Sequence, residues 1–210
     1  MSVGRILDTP DDMAEGAAWL IRVEPRFAEV LALTGPWPLR RRAGGFATLL
    51  FAIVGQQVSV ASAAALWAKT QAAGLDDRAA VAAASDDDLR ACGLSRPKVR
   101  YAKALADSDF DFDVLADLPD DEVIARLTAL LGIGRWTADI YAAFALGRAD
   151  VIAAGDLAVQ EGARVLFDLP ARPDEARLRA LAEPWAPWRG VAARGLWAYY
   201  AHIKTREGIG

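Results

Sequence analysis

The sequence predicts an all-α protein. Ala dominates nearly every segment, and β-branched alternation is almost absent. Apolar residues recur three and four positions apart, the spacing of a helix face. Residues that start and stop helices punctuate these runs.

In chain order, Thr9 precedes Pro10 with Asp12 three positions on, which predicts an N-cap, a Pro at N1 and an acidic first turn. Residues 46–54 predict a buried helix, and Ser59 caps an Ala-rich run over 60–73. Ser85 with Asp88 has the form of a capping box, and Gly93 is the stop of that short helix. Ser95 predicts a cap for a helix over 96–107. Leu118-Pro-Asp-Asp-Glu opens another that ends near 131, and Gly147 closes the helix beginning at Arg135. Pro173 and Pro187 each stand near a later helix start.

Composition bounds the rest. The 210 residues are about one and a half average domains of roughly 150. With 54% hydrophobic and 25% charged residues, the chain can bury a core. Lys and Arg number 24 against 28 Asp and Glu, a net charge of −4 that argues against a general polyanion binder. Local cation clusters still permit nucleic-acid contact. A single Cys92 and a single His202 cannot build an intramolecular disulfide, a four-cysteine iron–sulfur cluster or a cysteine/histidine zinc site. The first residues lack an apolar signal core, and the apolar run at 46–54 is far short of the roughly 20 residues that span a bilayer. A cytoplasmic protein that meets no membrane is therefore expected. Arg40-Arg41-Arg42 before Gly44-Gly45 suits either a solvated linker or a phosphate contact.

Three stretches carry chemistry. Gly55-Gln56-Gln57-Val58 sets two amides in a turn between apolar helices, either capping helix ends or lining a cleft. Leu130-Leu-Gly-Ile-Gly-Arg-Trp-Thr-Ala-Asp-Ile-Tyr141 turns through Gly132-Ile133-Gly134 and enters a helix at once. Glycines there permit a tight turn and close approach of a phosphate, while the free N–H groups and dipole of the new helix favour an anion. Ile133 anchors the hairpin in the core. Gly155-Asp156 before a helical run places Asp156 at or near an N-cap. Most such residues are only caps, although backbone N–H groups there favour a charged carboxylate, as a group facing a developing cation must be.

Taken together, Gly55-Gln56-Gln57-Val58-Ser59, Leu131-Gly-Ile-Gly-Arg-Trp-Thr-Ala138, Gly155-Asp156 and Pro184-Trp-Ala-Pro-Trp-Arg-Gly-Val-Ala-Ala-Arg-Gly-Leu-Trp197 resemble the helix-hairpin-helix (HhH-GPD) DNA glycosylase superfamily. The similarity runs from about Phe46 to Tyr200 and is greatest to its 3-methyladenine DNA glycosylase II branch, in a compact form without a β-rich N-terminal domain. The resemblance implies two helical subdomains with a cleft between them, one over 43–148 and one over 1–42 plus 149–210. It implies a monomer that acts on double-stranded DNA containing alkylated bases.

The resemblance also assigns residues. Asp156 matches the family's catalytic aspartate. Trp136 stands where strand-cleaving relatives carry a Lys that forms a Schiff base, which implies a monofunctional enzyme. Trp136, Trp197 and Gln56 match base-pocket positions. Gly132, Ile133, Gly134, Arg135 and Thr137 match the DNA-binding hairpin, and Gln57 falls where a side chain wedges into the duplex. No cofactor is implied, although some relatives hold a monovalent cation at the hairpin carbonyls. Trp185, Trp188 and Tyr141 suit the core. Arg96, Lys98, Arg100 and Lys103 form a local basic group, either a solvated helix face or a phosphate patch. A non-catalytic DNA-binding module, with Asp156 only a cap, and a glycosylase for an oxidised or deaminated base are the competing readings.

Overall fold

Helices form where the punctuation places them, because Ala-rich runs lose little side-chain entropy and their ends find local caps. The computed structural model describes residues 3–206; residues 1–2 and 207–210, at the ends of the expected terminal subdomain, lie outside the described residues. Its helices are α1 (Pro10–Val23), α2 (Arg26–Thr34), α3 (Phe46–Val54), α4 (Val60–Ala72), α5 (Arg78–Ala83), α6 (Asp86–Ala91), α7 (Arg96–Asp107), α8 (Asp120–Thr128), α9 (Arg135–Phe144), α10 (Leu157–Leu166), α11 (Glu175–Leu181) and α12 (Arg189–Arg206). Short 3₁₀ turns cover Asp113–Asp117 and Glu183–Trp185. Among the described residues the sole β feature is an isolated bridge between Ile6 and Arg148.

The caps follow the sequence closely. Thr9 and Asp12 make a reciprocal capping box on α1, and Ser85 and Asp88 make another on α6. Ser59 accepts from the Ser62 amide at the start of α4. Ser95 precedes α7 with extended backbone but makes no side-chain capping bond. Two helices end early. α8 stops at Thr128, before the expected 131, because Leu130 and Ile133 already bond back to Leu127 and Leu130 in a tight turn. α9 stops at Phe144 rather than at Gly147, which lies beyond it with φ +72°.

The chain divides into two compact units, 42–141 and 1–41 with 142–210. The boundary falls after Tyr141, not after residue 148 as expected. Residues past the helix are held by the N-terminal segment: Leu7 donates to Gly147 (2.7 Å) and Ala149 to Arg5 (2.9 Å).

The terminal unit is built on aromatic packing. Phe27 makes edge contacts with Trp185 (5.3 Å) and Trp37 (5.8 Å), and Phe167 stacks on Trp185 at 5.6 Å. Trp185 and Trp188 are buried, as expected of core residues. Two glycines set the position of α12. A Cβ at Gly190 would meet the carbonyls of Ala149, Arg148 and Val151, and one at Gly162 of α10 would lie 2.6 Å from the Leu196 carbonyl. Asp150 fastens the start of α12 by accepting from the Arg189 backbone (3.2 Å) and pairing with its guanidinium (2.9 and 2.6 Å).

In the middle unit, Tyr141 is buried and its hydroxyl accepts from the Gly45 amide (2.7 Å) at the start of α3. Burial pushes that phenol's pKa up. Lys98 of α7 is buried and donates to the Val54 carbonyl (2.8 Å) at the end of α3. Desolvation lowers its pKa.

Candidate functional site

The sequence-predicted residues fall into two groups, one within each unit. In the middle unit the hairpin joins α8 to α9. Gly132 has φ +85°, and a Cβ there would overlap the Tyr101 ring of α7, so this turn needs glycine on both counts. At Gly134, among the described residues, nothing lies within 4 Å of where a Cβ would sit. Ile133 is buried and pins the hairpin from below. Among the described residues the amides of Gly132 and Gly134 have no acceptor. They adjoin the start of α9, where the helix dipole favours an anion.

Gln56 joins this turn from 76 positions away. Its Nε2 donates to the Gly132 carbonyl at 2.8 Å. The amide thus ties its own turn to the hairpin instead of capping a helix, and this bond uses one of the two N–H groups on that nitrogen. The carbonyls of Leu130, Gly132 and Gly134 accept from Ile133, Gln56 and Ala138 respectively.

Gln57 is exposed at the tip of the α3–α4 turn with φ +56°, a left-handed conformation uncommon for a residue with a side chain. Trp136 is 41% exposed on the first turn of α9, unlike the buried tryptophans of the core. Arg135 pairs along α9 with the fully buried Asp139 (2.9 Å). Thr137 is buried, so its side chain is not offered at the surface.

The expected basic group on α7 is mostly structural. Lys98 holds the end of α3. Lys103 reaches the last carbonyls of α5, donating to Ala82 (3.1 Å) and to Ala84. Only Arg96 and Arg100 of the four are exposed, and Arg100 lies over the Tyr101 ring at 5.4 Å. Of the arginine run, Arg41 is also tied down, donating to the Ala145 carbonyl (3.0 Å) and pairing with Asp8 (3.4 Å).

In the terminal unit, Asp156 is the N-cap of α10. Its Oδ1 accepts from the amides of Ala158 (2.9 Å) and Val159 (3.2 Å). A third donor reaches the same oxygen: Nε1 of Trp197, on α12, at 3.0 Å. The structure therefore brings these two expected residues together, 41 positions apart in sequence. Trp197 packs against Phe144 with ring centroids 5.3 Å apart. Arg194 lies over Phe144 (4.8 Å) and is buried, with its guanidinium donating to the carbonyls of Leu39, Gly190 and Ala143. Burial lowers the Arg194 pKa to about 10. Sequence reasoning missed Phe144 and Arg194; the one local signal is that Arg194 sits a helical turn before Trp197.

Residues 50–187 match the family model of the HhH-GPD superfamily base excision DNA repair proteins. DNA-3-methyladenine glycosylase 1 of Schizosaccharomyces pombe is 37% identical over 114 residues, 52% of this chain and 50% of that protein. The chain spans about half the length of the curated relatives it matches. Among solved structures, S. pombe 3-methyladenine DNA glycosylase in complex with abasic DNA superimposes with a TM-score of 0.77 and 26% identity, over 92% of this chain and 97% of that one. DNA-3-methyladenine glycosidase of Bacillus halodurans gives 0.79 and 29%, over 97% and 94%. With its N-capping aspartate and Gly-Ile-Gly hairpin, and with the family model covering most of its length, this chain belongs to the HhH-GPD superfamily of base excision DNA repair proteins.

Proposed function

We propose that this chain is a monofunctional DNA glycosylase that removes alkylated purines of the 3-methyladenine and 7-methylguanine type from double-stranded DNA. The observation that carries the reading is the Asp156 carboxylate, held at the N-terminus of α10 by two backbone amides and the Trp197 indole N–H. The names of the relatives support the substrate class.

The chemistry suits those residues. A purine alkylated at N3 or N7 is cationic, so its glycosidic bond is already weak. The C1′–N bond breaks with its electron pair leaving on the base, which departs neutral. Asp156 stabilises the oxocarbenium-like sugar by its charge. Water then adds at C1′ and gives its proton to solvent. No general acid is required, and the position of Trp136 supplies no amine to attack the sugar. The Trp136 ring, which is exposed, stacks on the extruded cationic base in this reading. The free amides of Gly132 and Gly134 hold a backbone phosphate. Gln57, exposed at its turn, enters the gap left in the duplex.

The test is to incubate the protein with methylated duplex DNA and resolve released bases while scoring the strands. We expect free 3-methyladenine or 7-methylguanine, strands that stay intact until alkali is added, and no covalent complex on borohydride treatment. Absence of base release, or a borohydride-dependent adduct through a protein amine, contradicts the reading.

A further inference from the structure

We propose that Trp197 is a positioning residue that fixes the Asp156 carboxylate through its indole N–H, rather than a ring that stacks on the damaged base. The proposal rests on the functional reading above and changes the part that the sequence assigns to this tryptophan.

Three observations support it. First, the third donor is not needed to cap a helix. Asp77 and Asp174 also cap helices in this chain, and among the described residues they accept only from backbone amides. Asp156 takes the same kind of cap from Ala158 and Val159 and adds the Trp197 side chain at 3.0 Å. Two backbone donors and one side-chain donor on a single oxygen fix the carboxylate plane, which a two-amide cap leaves freer to turn.

Second, the donor itself is held. Phe144 backs the indole at 5.3 Å with 36° between the rings. Phe144 is backed in turn by the Arg194 guanidinium at 4.8 Å. Arg194 is 2% exposed and anchored to three carbonyls, so this stack has little room to shift. Third, the helices that carry the pair are locked one to the other. Gly162 of α10 lies against the Leu196 backbone of α12, next to Trp197, closer than any side chain would allow. An electrostatic stabiliser acts only from the right place, and misplacement by about 1 Å can cost 10²-fold in rate.

Trp197→Phe keeps an aromatic face and removes the donor. Its single-turnover excision of 7-methylguanine at saturating enzyme should fall ten- to a hundredfold, while the enzyme concentration giving half the maximal rate stays within about twofold of wild type. Phe144→Leu keeps the donor and loosens its backing, so it should show a smaller loss in the same rate constant; it also serves if Trp197→Phe fails to fold. A base-stacking role predicts the opposite split, with weakened half-saturation and a saturating rate near wild type, and that result overturns the proposal. So does a wild-type saturating rate in Phe144→Leu when Trp197→Phe cannot be read. If the wild-type protein itself releases no methylated base, the functional reading fails and takes this proposal with it. Release by the wild type with the contrary split in the variants sinks the positioning role alone.

Discussion

Gly132 and Gly134 occupy one hairpin and do different jobs. At Gly132 the backbone needs φ +85°, and the Tyr101 ring fills the space of a Cβ. An L-residue in that conformation costs about 1–2 kcal/mol, and the ring overlap adds an overpacking cost of about 1–3 kcal/mol. Gly134 has open space and no positive φ. Gly132→Ala should therefore lower the melting temperature by many degrees, whereas Gly134→Ala should melt close to wild type and change only DNA affinity, through crowding of the phosphate at its amide. Thermal unfolding of both variants, followed by binding of abasic duplex to Gly134→Ala, checks this. Equal melting temperatures for the two would mean that the hairpin is not held against Tyr101. Each glycine was legible in the sequence as part of a Gly-x-Gly turn. The division of labour was not, because Tyr101 reaches the hairpin from α7, some thirty positions away.

Helix starts were the most legible elements, since an N-cap is written within four residues. The boxes at Thr9–Asp12 and Ser85–Asp88 and the Asp156 cap all depend on neighbours in sequence. The cations of α7 were misleading for the converse reason. Lys98 and Lys103 satisfy the carbonyl ends of α3 and α5, and a side chain that stabilises a distant helix end looks, in sequence, like one awaiting a phosphate. The α10–α12 contact was equally hidden, since Gly162 in mid-helix reads only as a weak point. There a Cβ would sit 2.6 Å from the Leu196 carbonyl, a backbone atom that cannot swing aside. Gly162→Ala should thus push the helices apart and cost about 1–3 kcal/mol. It should also lower base excision by displacing Trp197 from Asp156. Chemical denaturation together with the excision rate measures both effects. A variant with wild-type stability would show that α10 and α12 are not locked at this point.

For the whole molecule, the all-α class was legible because Ala content and helix spacing act through local propensity, which the two-unit structure leaves in place. The candidate site was half legible. Gly132-Ile-Gly134, Trp136 and Asp156 announce themselves by residue type and spacing. The pairings between elements do not: Gln56 with Gly132 and Trp197 with Asp156 are long-range contacts that only the folded chain creates. Such contacts decide which residues touch the base and which hold another residue in place. The account depends throughout on the negative charge of Asp156. Asp156→Asn keeps the size of the side chain and its carbonyl acceptor for the Ala158, Val159 and Trp197 N–H donors while removing that charge. Measured by single-turnover release of 7-methylguanine from duplex DNA, this variant should lose about 10²–10³ in rate, with abasic-DNA affinity within about twofold of wild type. A rate equal to wild type would contradict a catalytic role for Asp156 and leave it as a helix cap in a DNA-binding protein.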